Sequence, residues 1–184
     1  GVGSFDGTTN FATGIPVWAI SVARFVDGRP SEVFLDVPAL GQRIVALRGR
    51  GVSRNQQALT ASSRQNANSA CVSLCSRSIR VLQRKPNQPF PGKIRLFGVA
   101  SLNLVSVAMG QTVAALEATP KIWDLAAAWL VLDELGCPIR WLVADPAELL
   151  PGQDLSQTSF PMLAAGSWSD LARFLPWGEA LLHP

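Results

Sequence analysis

The sequence pattern changes once, between Ser63 and Asn68, and that change fixes the architecture available to the chain. From Val17 to Ser63 short β-rich runs are broken by turn signals. Val17–Val26, Glu32–Val37, Arg43–Leu47 and Ala58–Ala61 read as strands, with Asp27-Gly28 as a hairpin turn whose residues tolerate positive φ. The expectation is an antiparallel meander. Beyond Asn68 strands alternate with helices, the mark of an α/β layer. Strands are expected over Ala70–Cys75, Lys93–Phe97, Gln111–Glu117, Ile139–Val143 and Phe160–Ala165. Helices are expected over Ser76–Lys85, about Ala100–Met109, Trp123–Leu135 and, to close, Ser169–Phe174. Trp123–Leu135 is the clearest, rich in alanine and leucine and stopped by Gly136 with Pro138 behind it. Pro86–Gly92 holds three prolines in seven residues, which divides the chain into expected halves of 1–92 and 93–184.

Composition removes several functions. Hydrophobic residues make up 48% and mean hydropathy is +0.22, yet charged residues, proline or glycine interrupt every apolar run. Buried sheets and helices are therefore expected, with no membrane span and no secretory leader at Gly1. Sixteen basic against thirteen acidic residues give +3, too mild to mark a nucleic-acid binder. Arg43, Arg48, Arg50 and Arg54 could form a basic patch, but interleaved aromatics are lacking and a solvated turn is the plainer reading. Three cysteines, an odd number, fit a reducing cytoplasm better than a disulfide framework. Cys71 and Cys75 have zinc-like spacing that Cys137 and His183 could complete, but no second close ligand pair exists. His183 is the single histidine and stands beside Pro184, so serine-triad chemistry lacks its usual proton carrier. Trp168 and Trp177 flank the closing helix, with core packing the simpler role and a partner surface the other.

Chemistry concentrates in Phe5-Asp6-Gly7-Thr8-Thr9-Asn10-Phe11, followed by Gly14-Ile15-Pro16. Gly7 lets the backbone approach a ligand closely, and the amides after it would be unpaired donors at a helix start, suited to an anion. Asp6 can hold a hard cation and Thr8 offers a hydroxyl to an attacking water. The competing reading is an Asx turn with a capping threonine. Asp124, in the first turn of the clearest helix, reads as a cap that can still lend an oxygen to a cation. Asp133 and Glu134 lie at the negative pole of that helix, where the plain expectation is solvation.

These stretches resemble the inositol monophosphatase family, which carries Asp-Pro-hydrophobic-Asp-Gly-Thr-x-Asn and, downstream, Trp-Asp-x-Ala-Ala at a helix start. Trp123-Asp124-Leu125-Ala126-Ala127 matches the second motif. Gly98-Val99-Ala100-Ser101-Leu102-Asn103 is similar to a segment between them, and Glu117 precedes Asp124 by the family's spacing. Arg48-Gly49-Arg50-Gly51 with Asn55 resembles a family turn, Gln56 standing where a glycine is usual.

The resemblance implies an α/β fold, an αβαβα sandwich truncated at the N-terminus, and a Mg2+-dependent phosphatase (Mn2+ as alternative) cleaving a small polyol or sugar phosphate by metal-activated water. It implies Asp6, Asp124 and the Phe5 carbonyl as metal ligands, and Gly7 and Thr8 as phosphate binders. Thr8 would also orient the water, while Gly98, Val99, Ala100 and Glu117 would line the substrate. A cytoplasmic homodimer follows by the same analogy, with nucleic acid an improbable partner. Departures are Gly3 for the family's metal-bridging aspartate, Ser4 for its proline, Thr13 for a histidine and Ala128 for a glycine. With the upstream glutamate pair also missing, the chain reads as a fragment of a longer protein or else a natural truncation, the abrupt start favouring the fragment, and it should hydrolyse phosphate esters poorly by itself. The alternatives are a catalytically impaired relative acting as a regulatory or interaction protein, and a sugar-bisphosphate or 3′-phosphonucleotide phosphatase.

Overall fold

A computed structural model describes residues 1–64, 70–85, 87–148 and 152–183. Pro86, at the head of the expected proline-rich loop, and Pro184, beside His183, lie outside the described residues.

The first sheet is antiparallel with its six strands in sequence order: β1 Val2–Asp6, β2 Ala19–Val26, β3 Arg29–Val37, β4 Gln42–Leu47, β5 Gly51–Arg54 and β6 Gln57–Leu59. The meander is as expected, with more strands than the sequence pattern gave. Asp27 and Gly28 both have positive φ, 53° and 75°, the geometry a two-residue hairpin between right-twisted strands requires. Asn55 and Gln56 make the same kind of turn between β5 and β6, so a glutamine occupies a backbone position that favours glycine. Along β2, Ala19, Ser21 and Ala23 are buried while Ile20, Val22 and Arg24 are exposed, so one face packs inward.

The second sheet has the order β10-β11-β9-β7-β8, from β7 Cys71–Leu74, β8 Lys93–Arg95, β9 Ala114–Glu117, β10 Ile139–Trp141 and β11 Met162–Ala165. β7 runs parallel to β8 and β9, whereas β11 is antiparallel to β9 and β10. The change of sheet thus falls between Leu59 and Cys71, and β7, which precedes the proline-rich loop, belongs to the second sheet.

The helices are α1 Thr8–Ala12, α2 Arg80–Arg84, α3 Ala100–Ala108, α4 Ile122–Glu134 and α5 Trp168–Glu179. Residues 76–79, expected to be helical, form turns ahead of α2. Ser78 organises them: its hydroxyl accepts from the Cys75 amide and donates toward the Cys75 and Leu116 carbonyls, side-chain bonds that compete with a helical ladder. α3 and α4 lie together between the two sheets, α4 against β1 to β5 and α3 against β7, β9 and β11, while α5 covers the far side of β9 and β11. Period-two alternation serves both sides of the second sheet. Ala115, Met162 and Ala164 join the core around α3 and α4, whereas Ala114, Leu116, Leu163 and Ala165 join the core under α5.

The Arg-Gly-Arg-Gly turn is held to α4. Glu134 accepts the amides of Gly49 (2.7 Å) and Gly51 (2.8 Å) on its two oxygens, a use that offsets its unfavourable place at the negative end of the helix. Of the arginines read as a patch, Arg48 donates to the carbonyls of Val26 and Pro30, Arg43 pairs with Asp36, and Arg54 meets the Met109 sulfur. Trp177 is buried, but Trp168 is 74% exposed. None of the three cysteines is in a disulfide. Among the described residues no helix is long and apolar enough to cross a membrane.

Candidate active site

Asp6 ends β1, and the chain must turn there at once. Gly7 does so in the left-handed region (φ 83°, ψ 35°), where a β-carbon would also come within 2.7 Å of Val99 Cγ2 and 3.2 Å of the Trp18 Cα. Asn10 then clamps the turn, donating through Nδ2 to the carbonyls of Val17 and Phe97, both at 2.8 Å. Gly98 (φ 73°) passes over Asn10 so closely that a β-carbon would sit 3.0 Å from its amide. Together these contacts bring the start of α3 onto Asp6, whose Oδ2 accepts the Ser101 amide at 2.7 Å.

Asp124 comes from the other direction, in the first turn of α4. Its Oδ2 caps the helix by accepting the Lys121 amide at 2.9 Å, leaving Oδ1 for other use. Ser4, two residues before Asp6, donates its hydroxyl to the Trp123 carbonyl at 3.2 Å, which ties β1 to the helix start that carries Asp124. Glu117 ends β9, fully buried, and accepts Asn103 Nδ2 from α3 at 2.6 Å.

These side chains surround one cavity of about 260 Å3 lined by Asp6, Glu117, Asp124, Asn103, Arg77 and Thr119, with Gly98, Val99 and Ala100 along one wall and Cys75, Ser76 and Pro120 completing it. Its electrostatics are those of crowded acids. Burial raises the Asp6 carboxyl above its ordinary range, against the opposing pull of backbone amides from Ser101, Ala100 and Gly7. Burial likewise raises Asp124, and the Asp6 charge adds to it, while the Lys121 amide and ammonium oppose. Glu117 is pushed up to about 7, chiefly by burial and further by Asp6 and Asp124, against hydrogen bonds from Asn103 and Cys75. One buried oxygen nearby, Asn103 Oδ1, has no hydrogen-bond partner among the described residues, while the Ser101 hydroxyl also opposes the rise at Asp6. Acids crowded so that Asp6 raises both of the others, beside an unpaired acceptor, are a donor set that a hard cation and a hydroxylated ligand would satisfy. The set is small: among the described residues no three His, Cys, Asp or Glu side chains form a ready metal cage, and the zinc arrangement is not assembled.

Of the residues singled out from sequence, Asp6, Asp124, Glu117, Gly98, Val99 and Ala100 meet at the cavity. Gly7 lies beneath its wall through Val99. Thr8 is exposed at the head of α1 and outside the lining. The Phe5 ring stacks on Trp18 and meets Phe11 edge-on, and Phe5 is not among the residues lining the cavity. Sequence reasoning missed Arg77, Thr119, Cys75 and Ser76 as lining residues. Asn103 had a usable signal, the one amide in a helix otherwise made of apolar residues and two serines.

The model of the inositol monophosphatase family matches residues 5–156. A histidinol-phosphatase from Mycobacterium tuberculosis is 35% identical over 146 residues, covering 73% of this chain and 55% of that protein. A Nus factor SuhB from Xylella fastidiosa is 31% identical over 138 residues, covering 71% of this chain and 50% of that protein. The chain therefore spans about half the length of these curated relatives. The crystal structure of an IMPase/NADP phosphatase complexed with Mg2+ and phosphate shares the fold, with a TM-score of 0.72 and 22% identity over 98% of this chain and 65% of that one.

Proposed function

The chain belongs to the inositol monophosphatase family, and from that premise we propose that it is a Mg2+-dependent phosphomonoesterase for inositol monophosphate or a similar small polyol or sugar phosphate. Mn2+ is the substitute ion. The observation that carries this reading is the convergence of Asp6 and Asp124, remote in sequence, on one cavity where both lift the proton affinity of Glu117 and Asp6 lifts that of Asp124. A phosphate dianion cannot enter such a site without positive charge to meet it.

Asp6 and Asp124 would hold the ion with the Phe5 carbonyl, two carboxylates being enough for one Mg2+ that keeps some of its waters. Bound there, the ion would draw charge from the phosphoryl oxygens and make water a better nucleophile at neutral pH. The amides of Gly7 and Thr8 bind phosphate, and the Thr8 hydroxyl orients the attacking water. Gly98, Val99 and Ala100 line the ring of the substrate. Glu117 accepts hydrogen bonds from its hydroxyls, and Asn103 Oδ1, unpaired among the described residues, accepts another. By the family resemblance the protein acts in the cytoplasm as a homodimer.

The test is phosphate release from inositol monophosphate. Slow, Mg2+-dependent release that stops with EDTA and in Asp124→Asn is expected. Release that survives either treatment contradicts the reading. Fructose bisphosphate and a 3′-phosphonucleotide, assayed alongside, rank the substrate classes. A second reading, favoured by the name Nus factor on the Xylella relative, is a non-catalytic interaction protein. Such a protein would be indifferent to Mg2+ in a titration.

A further inference from the structure

We propose that Ser73, Ser106 and Thr112 are positioning residues for ligand recognition, a buried hydroxyl cluster that fixes Asn103 on α3 and, through it, the Glu117 carboxylate. The proposal rests on the phosphatase reading above for what Glu117 meets, and adds the residues that aim it.

The cluster stands where apolar side chains would pack with no polar group to satisfy. Ser73 is in β7, Ser106 in α3 and Thr112 between α3 and β9, each 3% exposed or less. Their neighbours in these elements are Val72, Leu74, Leu104, Val105 and Ala114, all buried. A hydroxyl in such surroundings is costly unless it is hydrogen-bonded, and here each one is. Ser73 Oγ donates to the Asn103 carbonyl at 2.8 Å, and Ser106 Oγ donates to the same carbonyl at 2.6 Å. Ser106 has a single hydroxyl proton, so across its 2.7 Å contact with Thr112 Oγ1 the threonine is the donor. Three hydroxyls from three segments thus converge on one carbonyl.

Apolar packing is non-directional and leaves a helix free to settle at several positions along a sheet, whereas a satisfied buried network admits one arrangement. This one bolts the middle of α3 to β7 and to the approach of β9. From there Asn103 Nδ2 donates to Glu117 Oε1 at 2.6 Å, at the end of β9. The amide must turn its nitrogen to a carboxylate, so Oδ1 remains an acceptor, without a partner among the described residues. Both acceptors for ligand hydroxyls, Glu117 and Asn103 Oδ1, therefore hang on the same anchor. The start of α3 is held separately, by Asn10 to the Phe97 carbonyl and by Asp6 to the Ser101 amide. Loosening the cluster should then leave the acids that would hold the cation in place.

Calorimetry of inositol monophosphate in MgCl2, and of Mg2+ alone, tests this on the 184-residue chain as wild type, Ser73→Ala/Ser106→Ala, Thr112→Val and Thr112→Ser, with melting curves to establish folding. Hydrogen exchange of the Asn103 side-chain amide, followed by NMR, reports the anchor with no ligand present. The double variant should bind the ester about fivefold more weakly, as a misaimed hydrogen bond to a charged acceptor allows, and hold Mg2+ within about twofold of wild type. Its Asn103 amide protons should exchange at least about tenfold faster. Thr112→Val keeps the shape and removes the hydroxyl, so it should shift ester binding and exchange the same way by a smaller factor. Thr112→Ser keeps the hydroxyl and should match wild type, the reverse of what a packing role requires. Should the double variant not fold, the threonine pair decides. Ester binding or amide exchange unchanged in the folded double variant, Mg2+ binding weakened as much as ester binding, or Thr112→Val no weaker than Thr112→Ser overturns the proposal and leaves the phosphatase reading standing. If the wild type binds no ester, both fall.

Discussion

Replacing Glu117 with glutamine should stabilise the metal-free protein at alkaline pH and do little in acid. Glu117 is fully buried and titrates at about 7 in the folded protein against an ordinary 4.5. A carboxyl raised in this way stabilises the fold when protonated; the contribution is present below 4.5 and is lost as pH rises through 7. At 1.36 kcal/mol for each pH unit between those values, the wild type at pH 8 has lost about 3 kcal/mol that a neutral amide would keep, and at pH 5 under about 1 kcal/mol. Glutamine preserves the shape and an acceptor oxygen for Asn103 Nδ2, so the comparison isolates charge. Urea unfolding in EDTA at both pH values, followed by the fluorescence of the six tryptophans, gives the difference directly. A variant no more stable than wild type at pH 8, or a stability difference that does not change between pH 5 and pH 8, would refute the electrostatic picture of the cavity.

Two backbone predictions concern the turns that build the site and its sheet. Gly7→Ala should cost about 2–4 kcal/mol in urea unfolding, from the left-handed backbone and the collision with Val99; a loss under about 1 kcal/mol would contradict it. Gln56→Gly should stabilise by about 0.5–1 kcal/mol, because relief at φ 67° exceeds the entropy glycine adds to the unfolded chain. A lowered urea midpoint would count against that account.

What the sequence disclosed followed the strength of local signals. α4 came within a residue of its expected ends because its alanines and leucines favour helix and Gly136 stops it. β1 went unseen, since Gly3 and Ser4 give no apolar alternation; its pairing with β2 makes it a strand. β5 was hidden in the Arg-Gly-Arg-Gly turn, which Glu134 pins from α4, a contact no local pattern encodes. At the cavity the motif acids were legible because Glu117 and Asp124 sit at the ends of recognisable elements and Asp6 stands in the Asp-Gly-Thr stretch. Arg77 was not, because it reads as one more base in a basic run until β7 and β9 pair and set it beside Thr119.

Under the phosphatase reading proposed above, Asp6 and Asp124 share one cation. Mg2+ calorimetry on wild type, Asp6→Asn, Asp124→Asn and the double variant tests it most directly. The account predicts one weak site in wild type, its loss in either single variant, and no further loss in the double, since both oxygens serve the same ion. Unchanged Mg2+ binding in either single variant would contradict it.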